Sequence, residues 1–115
     1  MQYRTYKETM LPQMVRLWKE EAVRIRYKAY DSPEEWKAEL LDKPDFDPEG
    51  CILAFTDSGS LAGFAAAISQ KEFLPGQNRD NTPGYIFLLV VKEEYEGRGV
   101  GSSLLEKAEA FLKGQ

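Results

Sequence analysis

A chain of 115 residues, 43% hydrophobic and 30% charged, suits one small globular domain and is too evenly mixed for a disordered or membrane-spanning segment. Its net charge of −4, with lysines and arginines interleaved among acids, leaves no basic footprint for nucleic acid. No histidine and a single cysteine exclude Ser-His and Cys-His catalysis, the common histidine-containing zinc sites and any internal disulfide.

Residues 2–7 alternate weakly and read as a first strand. Thr9 is placed to cap a helix running to about Tyr27, in which Met10, Met14, Leu17, Trp18, Ala22 and Ile25 share one face at three- and four-residue spacing. Asp31-Ser32-Pro33-Glu34-Glu35 is a helix start: Ser32 caps, Pro33 suits the first turn and Glu35 completes a capping box. Trp36 and Leu40 form the apolar face of that short helix, which ends near Leu41. The stretch 43–50 reads as a loop. Apolar runs at 51–56 and 61–68, separated by Thr56-Asp57-Ser58-Gly59-Ser60, predict an antiparallel hairpin with Cys51 as a buried core thiol.

A polar loop with Pro75, Gly76 and Pro83 leads to Tyr85-Ile86-Phe87-Leu88-Leu89-Val90-Val91, which is continuously apolar. Such a run predicts a strand covered on both faces and central in its sheet. From about Gly99 to Lys113 a helix follows, with Leu104, Leu105, Ala108, Phe111 and Leu112 on one side and Glu106, Lys107 and Glu109 on the other. Gly114 reads as its C-cap.

The turn between that strand and that helix carries the chemistry. The first turn of a helix leaves backbone N–H groups unpaired at the positive end of the helix dipole, and glycines let such a backbone approach an anion closely. Gly97, Gly99 and Gly101 alternate with Arg98 and Val100, and Ser102 and Ser103 follow with hydroxyl donors. Each glycine in a helical turn costs about 1 kcal/mol relative to alanine, so three in five residues point to anion binding rather than to structure-building. A P-loop would need Lys after Gly101, where Ser102 stands. The dinucleotide fingerprint started at Gly97 would need a small apolar residue at 102 and an acid about 20 residues further on.

The segment from Val91 to Leu105, with Tyr95-Glu96-Gly97-Arg98-Gly99-Val100-Gly101 at its centre, resembles the Q/R-x-x-G-x-G/A signature of the GNAT acetyltransferases. Gly99 and Gly101 match the two motif glycines, while Glu96 stands where the family usually has Gln or Arg. The order β-α-α-β-β-β-α also resembles the first half of that family's fold. The resemblance implies an α+β domain: a mixed, mostly antiparallel sheet flanked by helices. It implies acetyl-CoA as co-substrate and a small-molecule or peptide amine as acceptor. The backbone of Leu89, Val90 and Val91 would pair with the pantetheine arm, and the amides of Gly97 to Ser102, with Arg98 and the Ser102 and Ser103 hydroxyls, would hold the pyrophosphate.

The family fold continues beyond this helix, so the resemblance implies that residues 1–115 are one domain truncated after the pyrophosphate-binding helix. An exposed apolar edge at 85–91 would then invite pairing with a second copy into a homodimer. No catalytic residue is assigned. The family's strand carboxylate is replaced by Phe87 and Leu88, while Glu72, Glu93 and Glu94 read as solvated surface acids. Tyr27, Tyr30 and Tyr85 read as packing residues near an acceptor pocket. The lone cysteine and the absence of an apolar leader or membrane-length segment point to the cytoplasm, with no membrane partner and no metal. The competing class is a catalytically inactive module of the same fold that binds CoA or a partner chain. Acceptor identity is not encoded in these motifs.

Overall fold

The computed structural model describes residues 1–22, 24, 32–42, 46–68 and 85–114. Strand β1 is Gln2–Thr5, helix α1 Leu11–Glu21, helix α2 Pro33–Leu40, strand β2 Cys51–Phe55, strand β3 Leu61–Ile68, strand β4 Tyr85–Val91 and helix α3 Val100–Lys113. The order is the one expected from the sequence. Among the described residues every strand pairing is antiparallel, in the spatial order β1-β2-β3-β4.

Two helical layers sandwich this sheet, which is why β2 and β3 are apolar at nearly every position. On one face Cys51, Leu53, Phe55, Phe64 and Ala66 join Met14, Leu17 and Trp18 of α1 and Trp36 of α2. Trp36 lies edge-on to both Trp18 and Phe64, with ring centroids 5.7 and 6.1 Å away. On the other face Ile52, Ala54, Ala65 and Ala67 pack against Val100, Leu104 and Ala108 of α3. Alternate side chains of a strand point to opposite faces, so a sheet covered twice has no polar phase.

The two-sided cover extends to β4, where Leu88 and Val90 belong to the α1 side and Leu89 and Val91 pack on the α3 side. Its expected central position is not borne out. Among the described residues β4 is the edge strand, paired only with β3, and Tyr85 is 60% exposed. Face cover and edge pairing are separate properties, and apolar content reports only the first.

Local signals hold where the partner groups are close in sequence. Ser32 Oγ accepts the Glu35 N–H at 3.1 Å and caps α2. The β2–β3 hairpin closes through Thr56 N–H to Ser60 O at 2.8 Å, with Gly59 at φ 87°. Gly114 terminates α3. The expected Thr9 cap is not formed: a 3-10 turn at Glu8–Met10 runs directly into α1, whose N-cap is Met10, with Pro12 in its first turn. Proline in the first turn removes a donor that would otherwise need a cap. The stretch of the expected first helix beyond Ala22, including Ile25 and Tyr27, lies outside the described residues apart from Arg24, as does the Leu40 side chain.

Candidate functional site

The glycine-rich turn lies where α3 begins against the end of β4. A short 3-10 turn, Glu93–Tyr95, carries the chain out of the strand. Gly97 and Gly99 then take φ 78° and 84°, left-handed values that L side chains rarely adopt. Gly99 is the N-cap of α3, and its carbonyl accepts the first helical bond, from Ser103 N–H at 3.0 Å. The N–H groups of Val100, Gly101 and Ser102 precede that bond and have no intrahelical partner. Gly101 and Ser102 line a pocket of about 350 Å³ together with Val91, Glu96, Gly97 and Gly99. A Cβ on Gly101 would stand 3.6 Å from the Val91 side chain, so the absence of one keeps the space between helix and strand open.

The edge of β4 continues this surface. Lys92 N–H donates to Ala62 O at 2.8 Å, and Val90 lies opposite Phe64. Because backbone groups alternate sides along an antiparallel strand, Lys92 and Val90 face β3, while Leu89 and Val91 turn theirs to the open edge. The Arg24 guanidinium agrees with this: its Nη2 reaches Val91 O at 2.9 Å.

Arg24 is the centre of a network that the sequence did not announce. Its Nε donates to Glu21 Oε2 at 2.7 Å and its Nη1 to Glu96 Oε1 at 2.7 Å. The other Glu21 oxygen accepts Glu93 N–H at 3.0 Å. Burial alone would raise the Glu21 carboxyl, but the bonds from Arg24 and from the Glu93 backbone hold it below its ordinary value. The two glutamates push Arg24 further up, so it stays charged. Three elements distant in sequence are thereby tied together: the end of α1, the last carbonyl of β4 and the turn before α3.

The residues singled out from the sequence separate on this geometry. Val91, Gly97, Gly99, Gly101 and Ser102 line one pocket. Val90 is buried and turns its backbone groups to β3, so the expected contact of Val90 with the arm is not available, while Val100 is buried in the opposite cluster and offers only its main chain. Arg98 lies over the Tyr95 ring, 5.9 Å from its centroid. Ser103 lines a separate depression with Tyr3, Glu106, Lys107 and Ala110. Glu93 is 73% exposed with its carboxylate 3.9 Å from Arg24, and Glu94 pairs with Lys92 at 3.0 Å. Both remain surface acids. Glu72, Tyr27 and Tyr30 lie outside the described residues. Cys51 is fully buried, and desolvation pushes its thiol up to about 12, as befits a core residue.

Among the described residues no group of three or more His, Cys, Asp or Glu could hold a metal ion, and no helix is long and apolar enough to cross a membrane.

A covered sheet, a β4 edge open among the described residues and a left-handed glycine turn feeding a helix N-terminus define an α+β fold, and comparison with known proteins specifies which. The model of the acetyltransferase (GNAT) family matches residues 11–115. This chain belongs to that family. Its fold is shared with an aminoglycoside 6′-N-acetyltransferase complexed with coenzyme A, at 20% identity and TM-score 0.68 over 99% of this chain and 56% of that one. An acetyltransferase of the GNAT family from Staphylococcus aureus Mu50 superposes with TM-score 0.71 at 16% identity, over 99% of this chain and 67% of that one. AAC(6′)-Iy, in complex with the bisubstrate analog CoA-S-monomethyl-acetylneamine, gives 0.67 at 18% identity, over 96% and 69%. The chain thus spans between about half and two thirds of these relatives' lengths. No curated protein sequence matches it.

Proposed function

We propose that this chain forms the acetyl-CoA-binding part of an N-acetyltransferase that acts on a primary amine. The observation that carries the reading is the pocket that Gly101 and Ser102, in the first turn of α3, line together with Gly97 and Gly99. The unpaired amides of that turn suit a pyrophosphate, since they donate hydrogen bonds at the positive end of a helix without needing a net positive chain. The outward backbone groups of Leu89 and the outward N–H of Val91, whose carbonyl already accepts from Arg24, suit an extended amide-bearing arm laid along β4 as an added strand. Acetyl-CoA would supply the activated acyl group. In the transfer the amine nitrogen bonds to the thioester carbonyl carbon, the carbon–sulfur bond breaks, a base takes the ammonium proton and the thiolate leaves protonated.

CoA-bound relatives of the same fold support the co-substrate, and the aminoglycoside acetyltransferases among them support an amine as acceptor. The second reading, a module that binds CoA without turnover, is favoured by Phe87 and Leu88 standing where a strand carboxylate would serve as base. Calorimetric titration with acetyl-CoA, using NAD and ATP as controls, tests the site. Selective acetyl-CoA binding supports it, and equal or stronger binding of NAD or ATP by the folded chain refutes it. CoA release on adding polyamines or aminoglycosides separates the enzyme from the inert module.

A further inference from the structure

We infer that Arg24 is a positioning residue for the anion site and works by neutralising Glu96; this rests on the CoA-binding reading above. Glu96 lines the same pocket as Gly101 and Ser102, and a free carboxylate there would repel a pyrophosphate. Its position is the one at which the family signature carries Gln or Arg, so this chain brings a negative charge where a neutral or positive group is usual.

Arg24 answers that charge from 72 residues away, with its Nη1 2.7 Å from Glu96 Oε1. The pairing is oriented rather than casual. Glu21, only 8% exposed, holds the Nε side of the guanidinium at 2.7 Å, and the Val91 carbonyl accepts from Nη2 at 2.9 Å. A planar fork that donates in three directions is fixed by these contacts, which a lysine could not make together. With Arg24 in place the one carboxylate that lines the pocket is paired.

The inference makes a prediction about coupling that a purely structural role does not. Removing Arg24 frees the Glu96 charge, so R24M should weaken acetyl-CoA binding about tenfold, or about 1.4 kcal/mol. E96Q should then rescue it: R24M/E96Q should bind within about twofold of E96Q alone, because no charge remains to neutralise. R24K, which retains charge without the fork, should fall between wild type and R24M.

The experiment is a double-mutant cycle in acetyl-CoA affinity by calorimetry, with the thermal midpoint of each ligand-free variant recorded beside it. If R24M binds like wild type, or if E96Q fails to restore binding while both variants stay folded, the inference is overturned and the CoA reading stands. If wild type binds no acetyl-CoA, the CoA reading fails and takes this inference with it. Should R24M unfold because Glu21 is left unpaired, the same cycle is run in an E21Q background, where Arg24 no longer shields a buried charge.

Discussion

Replacing the two motif glycines one at a time separates stability from binding. Gly99 has φ 84° and nothing within 4 Å of the place its Cβ would occupy. The cost of Gly99→Ala is therefore conformational: about 1–2 kcal/mol for forcing alanine into the left-handed region. For a domain of this size that lowers the melting temperature by about 4–8 °C for each kcal/mol lost. Gly101 sits inside the first turn of α3, and a Cβ there meets the Val91 side chain at an ordinary 3.6 Å. Gly101→Ala therefore gains up to about 1 kcal/mol of helix propensity and should melt no lower than wild type. Its methyl group nevertheless intrudes between α3 and β4, in a pocket of about 350 Å³ that Gly101 and Val91 both line. Acetyl-CoA affinity should fall about tenfold or more, since the pyrophosphate is displaced from the amides. The assay is thermal unfolding across an acetyl-CoA titration, in which the shift at saturation reports affinity through mass action. A Gly101→Ala variant that is folded, as stable as wild type and binds acetyl-CoA undiminished would refute the assignment of the turn. One that melts as low as Gly99→Ala would refute the conformational argument.

Three further outcomes are expected. Gly63→Ala should cost about 1–3 kcal/mol by urea unfolding, because its Cβ would lie 2.7 Å from Val90 O and 3.3 Å from Leu104 Cδ1, wedging β3 from β4 and from α3; a loss below about 0.5 kcal/mol would contradict that packing. Burial raises the Cys51 thiol to about 12, so above the unfolded thiol's range the unfolded state sheds its proton first. Stability should then fall as pH rises toward 12, by up to about 1.4 kcal/mol per pH unit, in excess of any fall shown by Cys51→Ala; identical alkaline profiles would refute it. Trp36 is fully buried between Trp18 and Phe64, and its Nε1 has no partner among the described residues, so Trp36→Phe should cost under about 1.5 kcal/mol and Trp36→Ala about 3–5 kcal/mol in denaturant midpoints. Equal losses would mean that ring packing is not what Trp36 contributes.

Much of this was legible in the sequence because it depends on neighbours in the chain. The β2–β3 hairpin, the Ser32 cap and the amphipathic α3 each arise from groups within a few residues of one another. So does the turn itself, since a left-handed conformation at Gly97 and Gly99 is a local property that the glycines permit. Thr9 shows the limit even there: a hydroxyl before a helix is a cap only if the backbone turns at that residue, and the 3-10 turn at Glu8–Met10 moved the start to Leu11.

Tertiary structure decided what depends on pairing across distance. The apolar content of residues 85–91 follows from helices on both faces of the sheet, yet whether a strand lies beside them is set by topology, and among the described residues β4 is an edge. Gly63 shows no motif, and its need to be glycine comes from the approach of Val90 O across the sheet. Glu96 reads in sequence as a departure from a signature. In the folded chain it is one end of an ion pair with Arg24, 72 residues earlier, because α1 ends beside the turn. Sequence by itself determined the local conformations and the unpaired amides at the start of α3, which follow from short-range sterics and hydrogen bonding. Only the fold could bring a distant charge to the pocket, since electrostatic neighbours are set by separation in space and not along the chain.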